Sequence, residues 1–407
     1  MNEQIKQRIT QLNNGEVPNG YKKTEFGVFP CDWVVDKTFG NLLDFYGGLG
    51  KSREELGDEG HAYLHYGDLH RGAFNVVSHE QYKHLPKYDV TLKGTETYLM
   101  EDGDVAFLDA SEDLEGTSRA VVIDNPDNDP FIAGLHIIYG KSKDDSLDKW
   151  YKQYITLPES VRKQFQKLAV GFKVYGLNRE TLPKIHIAYP ESAEEQSKIA
   201  EILMKWDEAI ELQEQYIGAL ENRKKFLMKK LLTPQKDWDY VLLGDICEIK
   251  TGRLDANAME EDGVYPFFTC SKDVYRINQY SFDCEALLMA GNGDIGDVKY
   301  YKGKFDVYQR TYVLSKFTFN IHYVMQYLLL NFDRDVMRGM QKSSMPYIKL
   351  DLLNKAKIYY NPSAVESTVR ILSIVDKEIE FYIKNLEQTK KQRKALQQYL
   401  LNGIVRV

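Results

Sequence analysis

The chain has 407 residues, 43% of them hydrophobic and 12% aromatic, and a formal net charge of −7. That length suits two or three globular domains; the charge excludes a uniformly basic protein but leaves local basic patches, and so a nucleic-acid partner, open. Cys31, Cys247, Cys270 and Cys284 lie far apart with no CxxC pair, which gives neither a zinc signature nor a disulfide framework and points to a reducing compartment.

The first stretch, residues 1–19, reads as a short helical segment with Ile5, Ile9 and Leu12 on one side, broken by Asn13-Asn14-Gly15 and Pro18-Asn19-Gly20. It is polar and has no apolar core of a signal peptide. No run of about 18 apolar residues follows anywhere, so no membrane span is expected and a cytoplasmic location is.

Residues 20–193 read as a mixed α/β domain of short strands, turns and small helices. Trp33-Val34-Val35 is followed by Phe39-Gly40-Asn41-Leu42-Leu43-Asp44-Phe45 and a glycine-bearing polar loop, Gly47 to Arg53. Later come Ala62–Asp68, Gly103–Leu108, Phe131–Tyr139, a helical pass over Leu147–Leu157, Gln166–Gly171, and a last strand, Lys184–Tyr189.

From Ile199 the gaps between seam positions alternate four and three: Ile199, Leu203, Trp206, Ile210, Gln213, Ile217, Leu220, Lys224, Leu227, Leu231. This is a heptad seam on a long helix, residues 194–233, stopped by Pro234. Residues 234–364 then repeat the first domain in shorter form. Trp238-Asp239-Tyr240 and Leu243–Ile249 stand 204 or so residues after their partners, and Thr251–Asp255 supplies the matching glycine loop. Tyr265–Cys270, Cys284–Met289, Val307–Leu314, His322–Leu330, Gln341–Pro346 and Lys357–Tyr360 match the remaining first-domain segments in order. The last segment, residues 365–403, carries a second seam 169 residues after the first: Thr368, Leu372, Val375, Ile379, Tyr382, Leu386, Thr389, Arg393, Leu396, Leu400. Asp207 falls on Asp376, and Lys224 on Arg393. Two unrelated amphipathic helices are the plain alternative, but the kept place of the cationic interruption favours two matched seams that pair. Each helix leaves its own domain toward the other, so an antiparallel pair with pseudo-two-fold symmetry is expected. The fold class is α/β (α+β): two similar domains joined by two long coiled-coil helices.

Three motifs suggest chemistry and each has a plainer reading. Gly291-Asn292-Gly293-Asp294-Ile295-Gly296 fits GxGxxG, but a dinucleotide loop must open a helix, and Asp297–Tyr301 reads as strand. Glu248-Ile249-Lys250 matches the ExK half of a nuclease site, yet its first-domain counterpart, Asp44-Phe45-Tyr46, lacks the lysine. Asn361-Pro362-Ser363-Ala364 resembles the Asn-Pro-Pro-aromatic loop of amino-methyltransferases with the wrong third and fourth residues, and suits the end of a strand. The histidines form no HExxH, and no GxSxG elbow exists. Neither a catalytic centre nor a metal site is visible.

Several stretches together carry a resemblance. They are Leu182–Pro190 and Glu195–Leu203 leading into the first helix, the helix ends Lys229–Thr233 and Leu400–Gly403, Ala290-Gly-Asn-Gly-Asp294, and Tyr308-Gln-Arg-Thr-Tyr312. Over nearly its whole length the chain resembles the specificity subunit of type I restriction-modification enzymes. The resemblance implies two target recognition domains, each reading one half of a split, asymmetric double-stranded DNA sequence. It also implies helices that set the spacer and dock two methyltransferase (modification) subunits. S-adenosylmethionine would then belong to those subunits, ATP and Mg to restriction subunits, and none of them to this chain. Base edges call for Arg or Lys toward guanine and Asn or Gln toward adenine, with loop contacts to phosphate fixing the register. The candidate DNA-binding residues are therefore Lys51, Ser52, Arg53, His65, Tyr66, His70, Arg71 and Lys173 in the first domain. In the second they are Arg253, Lys272, Tyr275, Arg276, Asn292, Arg310, Lys342, Ser343 and Ser344. Arg310 is open to a second reading as a buried structural ion pair. Two other classes stay open at this point: a stand-alone DNA methyltransferase or nuclease, and a coiled-coil adaptor that binds no DNA.

Overall fold

The computed structural model describes residues 3–71, 76–89, 96–111, 120–168, 175–176, 178–335 and 347–407. By contacts the chain divides into two compact units, one of Met1–Leu212 with Glu387–Val407 and one of Gln213–Leu386.

In the first unit, strands β1 (Leu43–Gly47), β2 (His61–Leu64), β3 (Val76–Ser78), β4 (Lys87–Tyr88), β5 (Val105–Leu108), β6 (Ala120–Asp124), β7 (Phe131–Ala133) and β8 (Ile137–Ser142) form two sheets. Their orders are β1-β8-β5-β6-β3 and β7-β2-β4. The central strands are buried on both faces. Val105, Phe107, Val122 and Ile138 join a core with Phe39, Tyr151, Tyr154 and Phe165. The alternate residues Ala106, Leu108, Val121, Ile123 and Ile137 join a second core with Leu64 and Phe131. Period-two alternation therefore separates two apolar faces here rather than an apolar from a polar one.

Helix α1 spans Ala193–Leu232, 40 residues, or roughly 60 Å. Gln196 anchors its start: its amide accepts from Asp148 N–H at 2.8 Å and donates to the carbonyls of Ser146 and Pro190 at 2.9 and 2.8 Å. In the second unit, β9 (Glu248–Thr251), β10 (Tyr265–Phe268), β11 (Val274–Ile277), β12 (Phe282–Ala290), β13 (Val298–Val307) and β14 (Thr311–Ser315) form one sheet. Its order is β9-β14-β12-β13-β10-β11. Helix α2 spans Val365–Leu401 and ends before Gly403, whose φ of 67° supplies the left-handed turn past the helix.

Apart from β3, which pairs parallel to β6 and has no counterpart in the second unit, the two units repeat one topology. β1·β8·β5·β6 and β9·β14·β12·β13 are antiparallel throughout, while β7·β2 and β13·β10 are parallel. β13 runs through where the first unit breaks into β6 and β7, with residues 125–130 between them. The register makes Gly47 opposite Ile138 equivalent to Thr251 opposite Tyr312, and Phe107 equivalent to Met289. This corrects the sequence match of Gly103–Leu108 with Cys284–Met289 by one residue. A second correction concerns the helical pass. Ile321–Asp335 is an α-helix, but over Leu147–Leu157 only Tyr151–Tyr154 is helical, as one 3₁₀ turn. Asp148 caps that turn by accepting from Trp150 and Tyr151 N–H, and Pro158 prevents its extension.

The helices are antiparallel within each unit. In the first, Glu195 meets Arg406 while Asp207, further along α1, meets Arg393, further back along the chain. In the second, Tyr216 packs edge-on against Tyr382 at 4.7 Å while Lys224 meets Asp376 at 2.6 Å. Of the predicted seam, Ile199, Leu203, Ile217, Leu220, Leu372, Val375 and Leu400 are buried. Trp206, Ile210, Leu227, Leu231, Ile379, Tyr382, Leu386 and Leu396 are half-buried. At both helix ends the buried stripe is wider than the seam. Ala200, Met228, Leu232 and Leu401 are buried as well, because there each helix lies on a globular core and not only on its partner.

Candidate nucleic-acid interface

In the first unit the predicted loops meet at one end of the sheet, where β1, β2, β5 and β7 finish and β8 begins. After β1 the chain must turn under the β7–β8 loop. A Cβ on Gly48 would stand 1.8 Å from the carbonyl oxygen of Gly134, so no other residue fits. Tyr63, fully buried on β2, ties these loops together. Its hydroxyl donates to the carbonyl of Leu49 and accepts from the N–H groups of Lys51 at 3.0 Å and Leu135 at 2.8 Å. Burial raises its pKa above that of a free phenol, so it holds its proton.

On this platform Lys51 and Arg53 sit with local counter-charges. Lys51 pairs with Glu55 at 2.9 Å and lies 5.2 Å over the Tyr88 ring; Arg53 pairs with Asp68 at 2.8 Å. The Glu55 carboxyl accepts from the Ser52 N–H, from Lys51 and from the Ser52 hydroxyl, which hold it at about 2, and Lys51 is raised to about 12 by Glu55 and Tyr88. Solvent-screened pairs of this kind are weak, so a phosphate can take over the cation at little cost. His65 departs from expectation. It is 5% exposed, its Nδ1 accepts from Gly67 N–H at 3.1 Å, and its ring lies 4.4 Å from that of Tyr66. It therefore supports the loop from below. Tyr66 is half-buried, with its ring edge-on to His136 at 5.2 Å. The side chains of His70 and Arg71, and all of Lys173, lie outside the described residues.

In the second unit the same end of the sheet gathers the matching loops. Gly252 repeats the part of Gly48: a Cβ there would stand 1.9 Å from the carbonyl oxygen of Val307. Gln309 N–H donates to the Leu254 carbonyl at 2.8 Å, Gly291 N–H to the Arg310 carbonyl at 2.9 Å, and Lys272 N–H to Asp294 at 3.1 Å. These bonds place Arg253, Lys272, Asn292 and Arg310 on four loops at one end. A cavity of about 290 Å³ opens beside Arg310, lined by Thr251, Gly291, Gln309, Arg310, Tyr312, Tyr347 and Ile348. Arg310 is exposed, so the buried ion-pair alternative does not describe it. Tyr275 is half-buried on the edge strand β11, and the next residue, Arg276, donates to the Val264 carbonyl at 3.3 Å. Lys342, Ser343 and Ser344 lie outside the described residues.

The motifs with chemical overtones resolve into structure. The Gly291–Gly296 loop leads into strand β13 and opens no helix. Glu248 pairs with Lys250 at 2.6 Å and with Lys316 at 2.8 Å, and these two contacts hold its carboxyl at about 2. Asn361 accepts from Ser363 N–H at 3.0 Å in the turn between the strand Lys357–Tyr360 and α2. Among the described residues no group of three or more His, Cys, Asp and Glu could hold a metal ion, and no helix is long and apolar enough to cross a membrane.

Sequence reasoning missed two residues of the first platform. His136 has a φ of 60° and its Nδ1 lies 2.8 Å from Asp109 Oδ1. The strand registers make it the counterpart of Arg310, and Asp109 the counterpart of Gly291. A lone histidine gives no periodic signal. Only the equivalence of β8 with β14 marks it.

The family model described as type I restriction modification DNA specificity domain matches the chain twice, over residues 72–222 and 235–392. Each match takes in strands of one α/β unit and most of the long helix that follows it in sequence. The chain belongs to that family. The EcoDI specificity subunit of a type I restriction enzyme from Escherichia coli is 37% identical over 172 residues, 41% of this chain and 38% of that protein. The MjaVIII specificity subunit of Methanocaldococcus jannaschii is 26% identical over 215 residues, 52% of this chain and 48% of that protein. These alignments thus span less than half the length of either relative. The crystal structure of the type I restriction-modification S subunit from M. genitalium covers 95% of this chain and 98% of its own. Its TM-score is 0.60 at 17% identity, which establishes a shared fold for the specificity-domain architecture.

Proposed function

We propose that this protein is the DNA sequence-specificity subunit of a type I restriction-modification complex. Each α/β unit acts as a target recognition domain and reads one half of a bipartite, asymmetric DNA target. One observation carries this reading. The two units hold the same loops at the same end of the same sheet, with the same glycine under them, but the side chains those loops present differ. A repeated scaffold with unlike loops suits two unlike half-sites. The cations Lys51, Arg53, Arg253 and Lys272 suit phosphate, which fixes position, while Asn292 and Arg310 suit base edges, which fix sequence.

The long helices set the spacer between half-sites and dock two methyltransferase subunits. S-adenosylmethionine is bound by those subunits, ATP and Mg by restriction subunits, and this chain contributes no catalytic group. The complex works in the cytoplasm.

The test is DNA binding by this chain with its methyltransferase partner, measured against salt, together with a map of methylated bases across the host genome. The expected result is an affinity that falls log-linearly with salt and a two-part modified motif of fixed spacing. Methyl transfer by this chain alone would overturn the reading in favour of an enzyme. A complex that forms but has no affinity for DNA would leave an adaptor.

A further inference from the structure

The strand registers place His136 and Arg310 at one equivalent position, each immediately before the first pair of its strand with the central neighbour, Ile137 with Leu108 and Thr311 with Ala290. We propose that this position is a specificity-determining one in both domains, with His136 taking an amino-bearing base and Arg310 a guanine. The proposal rests on the reading of the chain as a two-part DNA reader and names the chemistry of one contact in each half.

Three observations support it. First, the position is rigid. In the first domain Leu135 N–H donates to Tyr63 and Tyr66 N–H donates to the Leu135 carbonyl at 3.3 Å, while Asp109 N–H donates to the His136 carbonyl at 3.1 Å. In the second domain the Arg310 carbonyl accepts from Gly291 N–H and from the Cys270 thiol at 3.3 Å. Second, the side chains are open to a partner: that of His136 is 44% exposed and Arg310 is exposed. Third, the chemistry differs in a defined way. A carboxylate only accepts, so His136 Nδ1 is the donor in its 2.8 Å contact with Asp109, and in the neutral tautomer that this contact selects Nε2 is an acceptor. An acceptor matches the N4 amino group of cytosine or the N6 amino group of adenine. The Arg310 guanidinium is a donor only, and its fork matches the O6 and N7 acceptors of guanine.

The left-handed backbone at His136 also separates a reading role from a structural one. Glycine adopts φ of 60° freely, so His136→Gly keeps the turn and removes only the ring. The experiment uses the full chain with its methyltransferase partner and a DNA pool randomised across both half-sites, and compares wild type, His136→Gly and Arg310→Ala. His136→Gly should lower discrimination about tenfold at one position of one half-site, where the preferred base is A or C. Arg310→Ala should do the same at a guanine of the other half-site. If either variant weakens binding by one common factor on all sequences, that residue is a phosphate contact and the proposal is overturned. It is overturned too if the base preferences stay as in wild type. If the wild-type complex has no two-part preference, the broader reading falls and this assignment with it.

Discussion

Arg393 and Asp207 form a two-pronged ion pair inside the first unit, with Nε to Oδ1 at 2.7 Å and Nη2 to Oδ2 at 2.9 Å. Tyr154, from the globular part of that unit, donates its hydroxyl to the same carboxylate at 3.0 Å. The second unit repeats the device. Lys224 meets Asp376 at 2.6 Å, and Gln326 donates to Asp376 at 2.7 Å. The residue that interrupts each seam is thus paired with an aspartate on the other helix. A group from the α/β body completes each site, so helix register and body position are fixed together.

Breaking one pair should be felt, and restoring it in reverse should recover most of the loss. The Arg393 side chain is 13% exposed and that of Asp207 29%. Arg393→Ala or Asp207→Ala should each cost about 1–3 kcal/mol, between the values for exposed and buried pairs. The double variant Asp207→Arg with Arg393→Asp should be more stable than the sum of the two single changes, as read by denaturant unfolding. Strict additivity would mean that the pair does not couple the helices.

The two platform glycines should be irreplaceable in both units. Gly48→Ala and Gly252→Ala force a Cβ to within 1.8 and 1.9 Å of a backbone carbonyl oxygen, which cannot swing away like a flexible side chain. Each should cost about 3 kcal/mol or more. Gly57→Ala, with nothing within 4 Å of the new carbon, should stay within about 1 kcal/mol of wild type in the same melting experiment.

Removing the Tyr63 hydroxyl should loosen the first platform alone. Tyr63→Phe leaves the Leu49 carbonyl and the Lys51 and Leu135 N–H groups without their buried partner. A loss of about 1–3 kcal/mol is expected. Hydrogen exchange should quicken in residues 48–53 and 134–136 while the second unit keeps its protection.

Asp104 predicts a pH dependence. Burial is the main cause that lifts its carboxyl from 3.8 to about 7. A raised acid binds its proton more tightly in the folded state. Its contribution is therefore fully present below about pH 4 and is lost as pH rises through 7. Asp104→Asn should match wild type most closely below about pH 4 and gain on it as pH rises from about 4 to 7, by up to about 4 kcal/mol if the whole shift is expressed, with no further gain above pH 7. A gap between the two unfolding curves that does not change with pH would show that the Asp104 carboxyl is not raised in the native state.

The sequence by itself determined the repeat, the two long helices and the glycine turns. Heptad spacing and the residues that break it are local properties, and the same local chemistry written twice is visible without coordinates. It also marked Lys224 and Arg393 as interruptions, and Lys51, Arg53, Arg253 and Arg310 as loop cations. Tertiary structure alone decided what those residues meet. Asp207 and Arg393 stand far apart in sequence and are joined only because the helices pack antiparallel. His65 went beneath its loop because a neighbouring N–H claimed its nitrogen. Met228 and Leu232 were buried, off the seam, because the helix end rests on a globular core. His136 gained its place from the pairing of strands, since left-handed geometry and a partner carboxylate 27 residues away in sequence leave no periodic trace in the chain.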